Sequence, residues 1–144
     1  MATEPDKHAT QVWTRLMRAQ HRVLSHIETA LKTANLPPLS WYDVLLGLER
    51  ANDTGMRPFE LEQHLLLPQY SLSRLLDRIA AAGYLKRLPC QHDARGHIII
   101  ITGKGKELRQ RMWPIYAQAI NKSVAEHLTE TEAKQLSKLL AKLT

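Results

Sequence analysis

A mainly α fold with one small β-hairpin is the class this sequence predicts, and three observations predict it. Leu72, Leu75, Leu76 and Ile79 recur at three- and four-residue spacing, the period of a helix with one buried stripe. An extended stretch from Tyr84 to Pro89 precedes Ile98-Ile99-Ile100-Ile101, a β-branched run with strong strand preference. Between them Gln91-His92-Asp93-Ala94-Arg95-Gly96 is polar and ends in glycine, as a hairpin tip does. A short helix precedes this unit, so the order over 57–102 is helix, turn, helix, hairpin. That is the order of a winged helix-turn-helix, a shape that lays one helix in a DNA groove.

The elements follow in chain order. From about His8 to Thr33, Val12, Leu16, Ala19, Val23, Ile27, Ala30 and Leu31 share one face of a long helix, which Asn35-Leu36-Pro37-Pro38 ends. Ser40 reads as an N-cap with Asp43 three residues on, close to a capping box, and Trp41, Val44, Leu45, Leu48 and Ala51 form the next stripe. Residues 51–55 are a loop, and Met56-Arg57 is placed to add a short third strand to the hairpin. Pro58 suits a first helical turn, and Phe59, Leu61 and Leu65 are the residues that helix buries. Leu66-Leu67-Pro68 links it to the next helix, whose Ser71, Ser73, Arg74, Asp77 and Arg78 fall off the apolar stripe and face outward. Gly83 follows as a C′ residue, and Pro89, unable to donate to a ladder, belongs on an edge or at a break.

Thr102 offers an N-cap hydroxyl for a helix from about Lys104 to His127, with Leu108, Met112, Ile115, Ala119, Ile120 and Val124 as its apolar face. Pro114 lies inside it, so a kink near Gln110 and Arg111 is expected. Thr129-Glu130-Thr131-Glu132 restarts the chain with a capping box, and Leu136, Leu139, Leu140 and Leu143 line the last helix. These terminal helices are too apolar along one side to stand alone. They are expected to interlock with their copies in a twofold homodimer, 8–34 and 104–144 serving dimerisation and 40–102 contacting DNA.

Composition narrows the class. The 144 residues fit a single domain, and 44% hydrophobic content is ordinary for a globular protein. No apolar run reaches membrane-spanning length, and no apolar segment follows the polar Met1–Lys7, so no membrane partner and a cytoplasmic location are expected. The single cysteine, Cys90, fits a reducing compartment. Net charge is +6, unevenly spread: residues 1–67 carry seven Lys/Arg against eight Asp/Glu, 68–104 six against two, and 105–144 seven against four. The excess begins where the outward-facing helix begins, which points to a polyanionic partner more strongly than a solvated charged face does.

The run LSWYDVLLGLERA, then SRLLDRIAAAGYLKR, then Asp93-x-Arg95-Gly96 and IIIITGKG, resembles the multiple-antibiotic-resistance regulator (MarR) family over nearly the whole chain. That resemblance implies a homodimeric winged-helix transcription regulator, many of its kind responding to small aromatic acids or oxidants. It implies that the helix from Ser71 to Arg78 enters the major groove, that Arg95 at the wing tip reaches the minor groove, and that Asp93 helps hold the tip in shape. Within this frame Arg74 is the expected base reader, with Ser71 and Ser73 assisting and Arg78 and Lys86 on phosphates. One such unit touches few base edges, so two are expected on half-sites about one helical turn apart, a near-palindromic operator with repression the expected outcome. In the family small aromatic acids lodge between dimer helices and winged helix. His21, Trp41 and Arg50 are candidates for such a site, although Trp41 as core and the other two as surface contacts is the plainer account. Trp13 and Trp113 are read as packing residues.

Other chemistries find little support. The seven histidines are scattered without HExxH spacing, and Cys90, His92, Asp93 and His97 match no recognised metal-ligand pattern. No glycine-rich phosphate loop or GxSxG elbow occurs, so no enzyme, cofactor or metal is expected. Cys90 lies near Lys86 and Arg87, cations that favour a thiolate, but a structural thiol is the preferred reading.

Overall fold

Caps decide where the helices of this chain begin. In a computed structural model describing residues 3–90 and 93–144, with the side chains of Asn52, Cys90 and residues 93–95 outside that description, Asp6 accepts the Ala9 N–H at 2.9 Å and starts α1 (Lys7–Thr33). The chain then runs through α2 (Leu39–Ala51), α3 (Pro58–His64), α4 (Leu72–Ala81), β1 (Leu85–Cys90), β2 (Asp93–Ile101), α5 (Gly103–Ser123) and α6 (Glu130–Ala141). Thr102 caps α5 by accepting the Gly105 N–H at 3.1 Å. Thr129 and Glu132 form the full reciprocal capping box of α6, as their spacing predicts. Gly83, at φ +88°, turns the chain out of α4 in the left-handed conformation that a Cβ disfavours.

Around α2 the molecule is built as a single core. Val44, Leu45 and Leu48 of α2 are fully buried with Leu61 of α3, Leu75, Leu76 and Ile79 of α4, Ile99 of β2, and Leu108 and Met112 of α5. Each such side chain contributes roughly 1.5–3 kcal/mol by leaving water. The hairpin is antiparallel, with Leu85 opposite Ile101 and Arg87 opposite Ile99, and a register shift at Pro89/Cys90. Met56 adds a single bridge to Ile99, the expected third-strand contact reduced to one residue pair. Among the described residues β1 has no partner on its other side, which accommodates Pro89.

Several expectations are corrected. Ser40 and Asp43 form no capping box: α2 already begins at Leu39, whose N–H donates to Glu28 Oε1 at 2.7 Å, and Asp43 is bonded elsewhere. Phe59 is 58% exposed, since only Leu61 of α3 reaches the core. The long helix ends at Ser123, and Ala125–His127 is a separate 3-10 turn. β2 starts at Asp93, so residues assigned to the hairpin tip are strand. Trp13 is 62% exposed and packs into no core, whereas Trp113 stacks on Tyr42 at 6.2 Å between centroids. The first half of α1 buries nothing, α6 buries nothing, and Val12, Met17, Leu136 and Leu139 stand exposed.

Candidate nucleic-acid interface

The strong amphipathy of α4 sets the site. With Leu72, Leu75, Leu76 and Ile79 turned inward, Ser73, Arg74, Asp77 and Arg78 are left exposed on the opposite face. Ser71 has a role of its own: its hydroxyl accepts the Arg74 N–H at 3.4 Å and caps the helix.

Both ends of α4 are tied down. At its C-terminal end, the Thr102 hydroxyl donates to the Gly83 carbonyl at 2.7 Å and the Lys104 ammonium to the Ala82 carbonyl at 3.0 Å. Lys104 also lies 5.1 Å above the Tyr84 ring, and a cation suits this negative end of the helix dipole. Ahead of the N-terminal end, the Leu66 and Leu67 N–H groups donate to the two oxygens of Asp43, at 3.1 and 2.8 Å. One α2 carboxylate therefore holds the link between α3 and α4.

The hairpin is fixed to α4 by an ion pair that the sequence reading missed. Arg87 Nη1 donates to Asp77 Oδ1 at 2.6 Å. Strand pleating explains it: Leu85 and Arg87 share the face that carries Ile99 and Ile101, toward the core and α4, and Lys86 stands on the opposite face. Both partners are exposed enough that the pair orients more than it stabilises. Arg95 lies on β2 by its backbone, but the side chains of Arg95 and Asp93 lie outside the described residues. Tyr70, directly before the α4 cap, is fully exposed, and no periodicity argument singles it out.

His21, Trp41 and Arg50 do not converge. Trp41 and Arg50 are nine residues apart and so point to opposite sides of α2. Trp41 packs edge-on to Tyr84 at 6.0 Å, and His21 lies on the outer surface of α1 beside Met17 and Arg22. Arg50 instead opens on a cavity of about 520 Å³ walled by α2, the α3–α4 link and α5, with His64, Tyr42, Trp113 and Tyr116 around it. Leu39, Asp43, Leu46 and Arg50 are the α2 face of that cavity, spaced to fall on one side of a helix. Burial pushes the Tyr116 hydroxyl above its ordinary range, helped by Tyr42 and the Asp43 charge. Nearby, burial works against the Arg109 charge, but bonds to Glu49 and Tyr42 outweigh it and hold that guanidinium above its usual value. The Arg109–Glu49 pair joins α5 to α2. Among the described residues no group of three His, Cys, Asp or Glu is placed to hold a metal ion. No described helix is long and apolar enough to cross a membrane.

The family model described as MarR family matches residues 34–96, the segment that carries α2, the link, α4 and most of the hairpin. The multiple antibiotic resistance protein MarR of Escherichia coli K12 is 30% identical over 86 residues, 60% of this chain. Over these residues the chain is similar to the MarR family. That alignment spans 60% of the length of the E. coli relative. Among solved structures, Sco3205 of Streptomyces coelicolor, a MarR family regulator in complex with DNA, superposes with a TM-score of 0.87 at 23% identity, covering 99% of this chain and 89% of that one. The transcriptional repressor CouR, bound to a DNA duplex, gives 0.80 at 23% identity and 99% of both chains. A mutant E. coli MarR complexed with operator DNA gives 0.81 at 21% identity, covering 98% of this chain and 99% of that one. At these identities the likeness is one of fold, and it extends the MarR architecture over α1, α5 and α6 as well.

Proposed function

We propose that this chain is a MarR-family transcription regulator that binds double-stranded DNA as a homodimer on a near-palindromic operator and represses by occupying it. One observation carries the reading: the Ser73, Arg74 and Arg78 face of α4 is exposed, capped, and held at both ends beside a hairpin pinned to it. A helix presented in this way reads base edges with its N-terminal residues. Arg74 is assigned to bases, Ser71 to holding the helix start and Ser73 to assisting, Arg78 and Lys86 to phosphates, and Arg95 to the minor groove with Asp93 as wing support. DNA complexes among proteins of the same fold support the assignment. The apolar faces of α1 and α6 support the dimer, because Trp13, Met17, Leu136 and Leu139 stand exposed among the described residues. Selection of bound sequences from random duplex DNA tests the reading. A two-part motif with half-sites about one helical turn apart is expected, with affinity falling steeply as salt rises. Arg74→Ala should relax preference by about 1–3 kcal/mol at one position per half-site. Equal losses on selected and scrambled duplexes would refute the Arg74 assignment.

A small aromatic carboxylate is the proposed effector, seated in the cavity beside Arg50 and His64, with Tyr42, Trp113 and Tyr116 as ring contacts. Its charge would meet Arg50, and its ring an aromatic wall. His21 and Trp41 have no part in this site. Release of the selected duplex by benzoate, lost in Arg50→Ala, is the expected outcome.

A further inference from the structure

One side of α1 is positive and carries nothing of its own to balance it. Residues 7–33 hold Lys7, Arg15, Arg18, Arg22 and Lys32 against a single acid, Glu28, whose Oε1 accepts the Leu39 N–H at 2.7 Å. The near-neutral total of residues 1–67 conceals this, because the other acids of that stretch lie outside α1. Arg18, Arg22 and His26 follow at four-residue spacing and stand exposed on one side of the helix. Like charges at this spacing repel, and neither arginine forms an ion pair among the described residues.

The end of α5 and the 3-10 turn after it complete this face. Where Ser123 and His127 come up beside Arg18, Arg22 and His26, a cavity of about 450 Å³ opens, and no carboxylate lines it. A second hollow shares the two arginines and His26 and runs along α1 past His21. His26 Nδ1 lies 3.1 Å from Ser123 Oγ, a bond that sets the ring between the two elements. With the hydroxyl donating to Nδ1, Nε2 carries the ring hydrogen and is a donor even in the uncharged imidazole. Trp13 lies nine residues before Arg22, on the opposite side of α1, so a partner copy laid on Trp13 leaves this face open. Ser123 ends a helix of 21 residues whose start is tied to the C-terminal end of α4, so the cavity stands roughly 30 Å from that anchor.

We propose that Arg18, Arg22, His26 and His127 form a binding site for a small phosphate polyanion, a diphosphate group either free or carried by a nucleotide. Planar guanidinium forks pair bidentately with phosphate oxygens, and two of them offer more charge than a single carboxylate neutralises. The imidazoles add donors at fixed positions from a second direction. The site is separate from the α4 face and does not depend on the DNA-binding reading.

The experiment titrates the full chain with pyrophosphate, ADP and adenosine in a calorimeter. Saturable binding of pyrophosphate and ADP is expected, at one site per chain, with no heat from adenosine. ADP binding more tightly than pyrophosphate points to a nucleotide and equal affinity to the free diphosphate, and either supports the site. Arg18→Gln and Arg22→Gln should each weaken binding about tenfold, the order of a lost charge-assisted bond, while circular dichroism stays that of wild type. Lys106→Gln, near the other end of α5, should bind as wild type does. In proton NMR of wild type, a readout free of any variant's folding, pyrophosphate should shift the His26 and His127 ring signals and leave His97 in place. Absence of saturable binding, adenosine binding as well as ADP, or wild-type affinity in both arginine variants overturns the proposal. An equal loss in Lys106→Gln does so too, since it marks a diffuse positive surface. A short random duplex that displaces pyrophosphate assigns the face to nucleic acid and overturns the small-ligand site.

Discussion

Gly105→Ala sets two effects against each other, and the structure decides between them. Gly105 occupies the third helical position of α5, after the Thr102 cap, and is buried. On helix propensity alone, alanine is better than glycine by about 0.8–1.0 kcal/mol in a helix interior, so a local argument makes the change stabilising. A Cβ at Gly105 would lie 2.1 Å from the Tyr84 carbonyl oxygen and 2.9 Å from Ile101 Cγ1. Carbon and oxygen approach one another only to about 3.3 Å, so the chains must part by roughly 1.2 Å. The obstacle is backbone at the root of the wing, and the same carbonyl accepts the Thr102 N–H at 3.1 Å, so it cannot swing aside freely. Overpacking of this sort costs about 1–3 kcal/mol, and a backbone obstacle puts this site at the upper end. Net destabilisation of about 2 kcal/mol follows, which for a chain of this size lowers Tm by roughly 4–8 °C. Gly103→Ala is the control, because a Cβ there meets nothing within 4 Å, and it should be neutral or stabilising. Urea and thermal unfolding followed by circular dichroism, at one fixed protomer concentration, compare the three proteins. Gly105→Ala as stable as wild type would refute the reasoning.

Three further outcomes are expected. Trp13→Glu places a charge on the bare half of α1, so sedimentation should show dissociation toward monomer while the helical circular dichroism of the core is retained. Tyr70→Ala removes a fully exposed ring, so the unfolding free energy should hold within about 0.5 kcal/mol of wild type while affinity for the selected duplex falls. In the α6 cap, bonds from the Thr129 backbone and hydroxyl hold the Glu132 carboxyl below its ordinary range. A depressed folded-state value means the cap stabilises above the ordinary carboxylate range and weakens as pH falls through the lowered value. Melts of wild type across that acid window should lose stability that Glu132→Gln does not lose.

Some elements were legible because a local rule governs them. The α4 stripe, the Gly83 turn, the Thr102 cap and the Thr129–Glu132 box each depend on residues within a few positions of one another. Short-range misreadings came from competition with distant partners. Asp43 sits three residues after Ser40, as a capping box requires, yet Leu66 and Leu67 take its carboxylate from 23 and 24 positions away. Phe59 was assigned to a core because it is apolar. A helix as short as α3 turns one side inward, and Leu61 occupies it.

The order and type of the elements, the exposed basic face of α4 and the caps at Thr102 and Thr129 were determined by sequence alone, since periodicity and capping are written in neighbouring residues. Which side chains meet across elements was decided only by the tertiary structure. The Asp77–Arg87 pair follows from strand pleating against α4, and the separation of Trp41 from Arg50 follows from the rotation of α2. The cavity wall that includes Asp43 exists only where three helical segments and a link come together. A one-dimensional pattern fixes which face a residue occupies on its own element, but not which neighbour that face will meet.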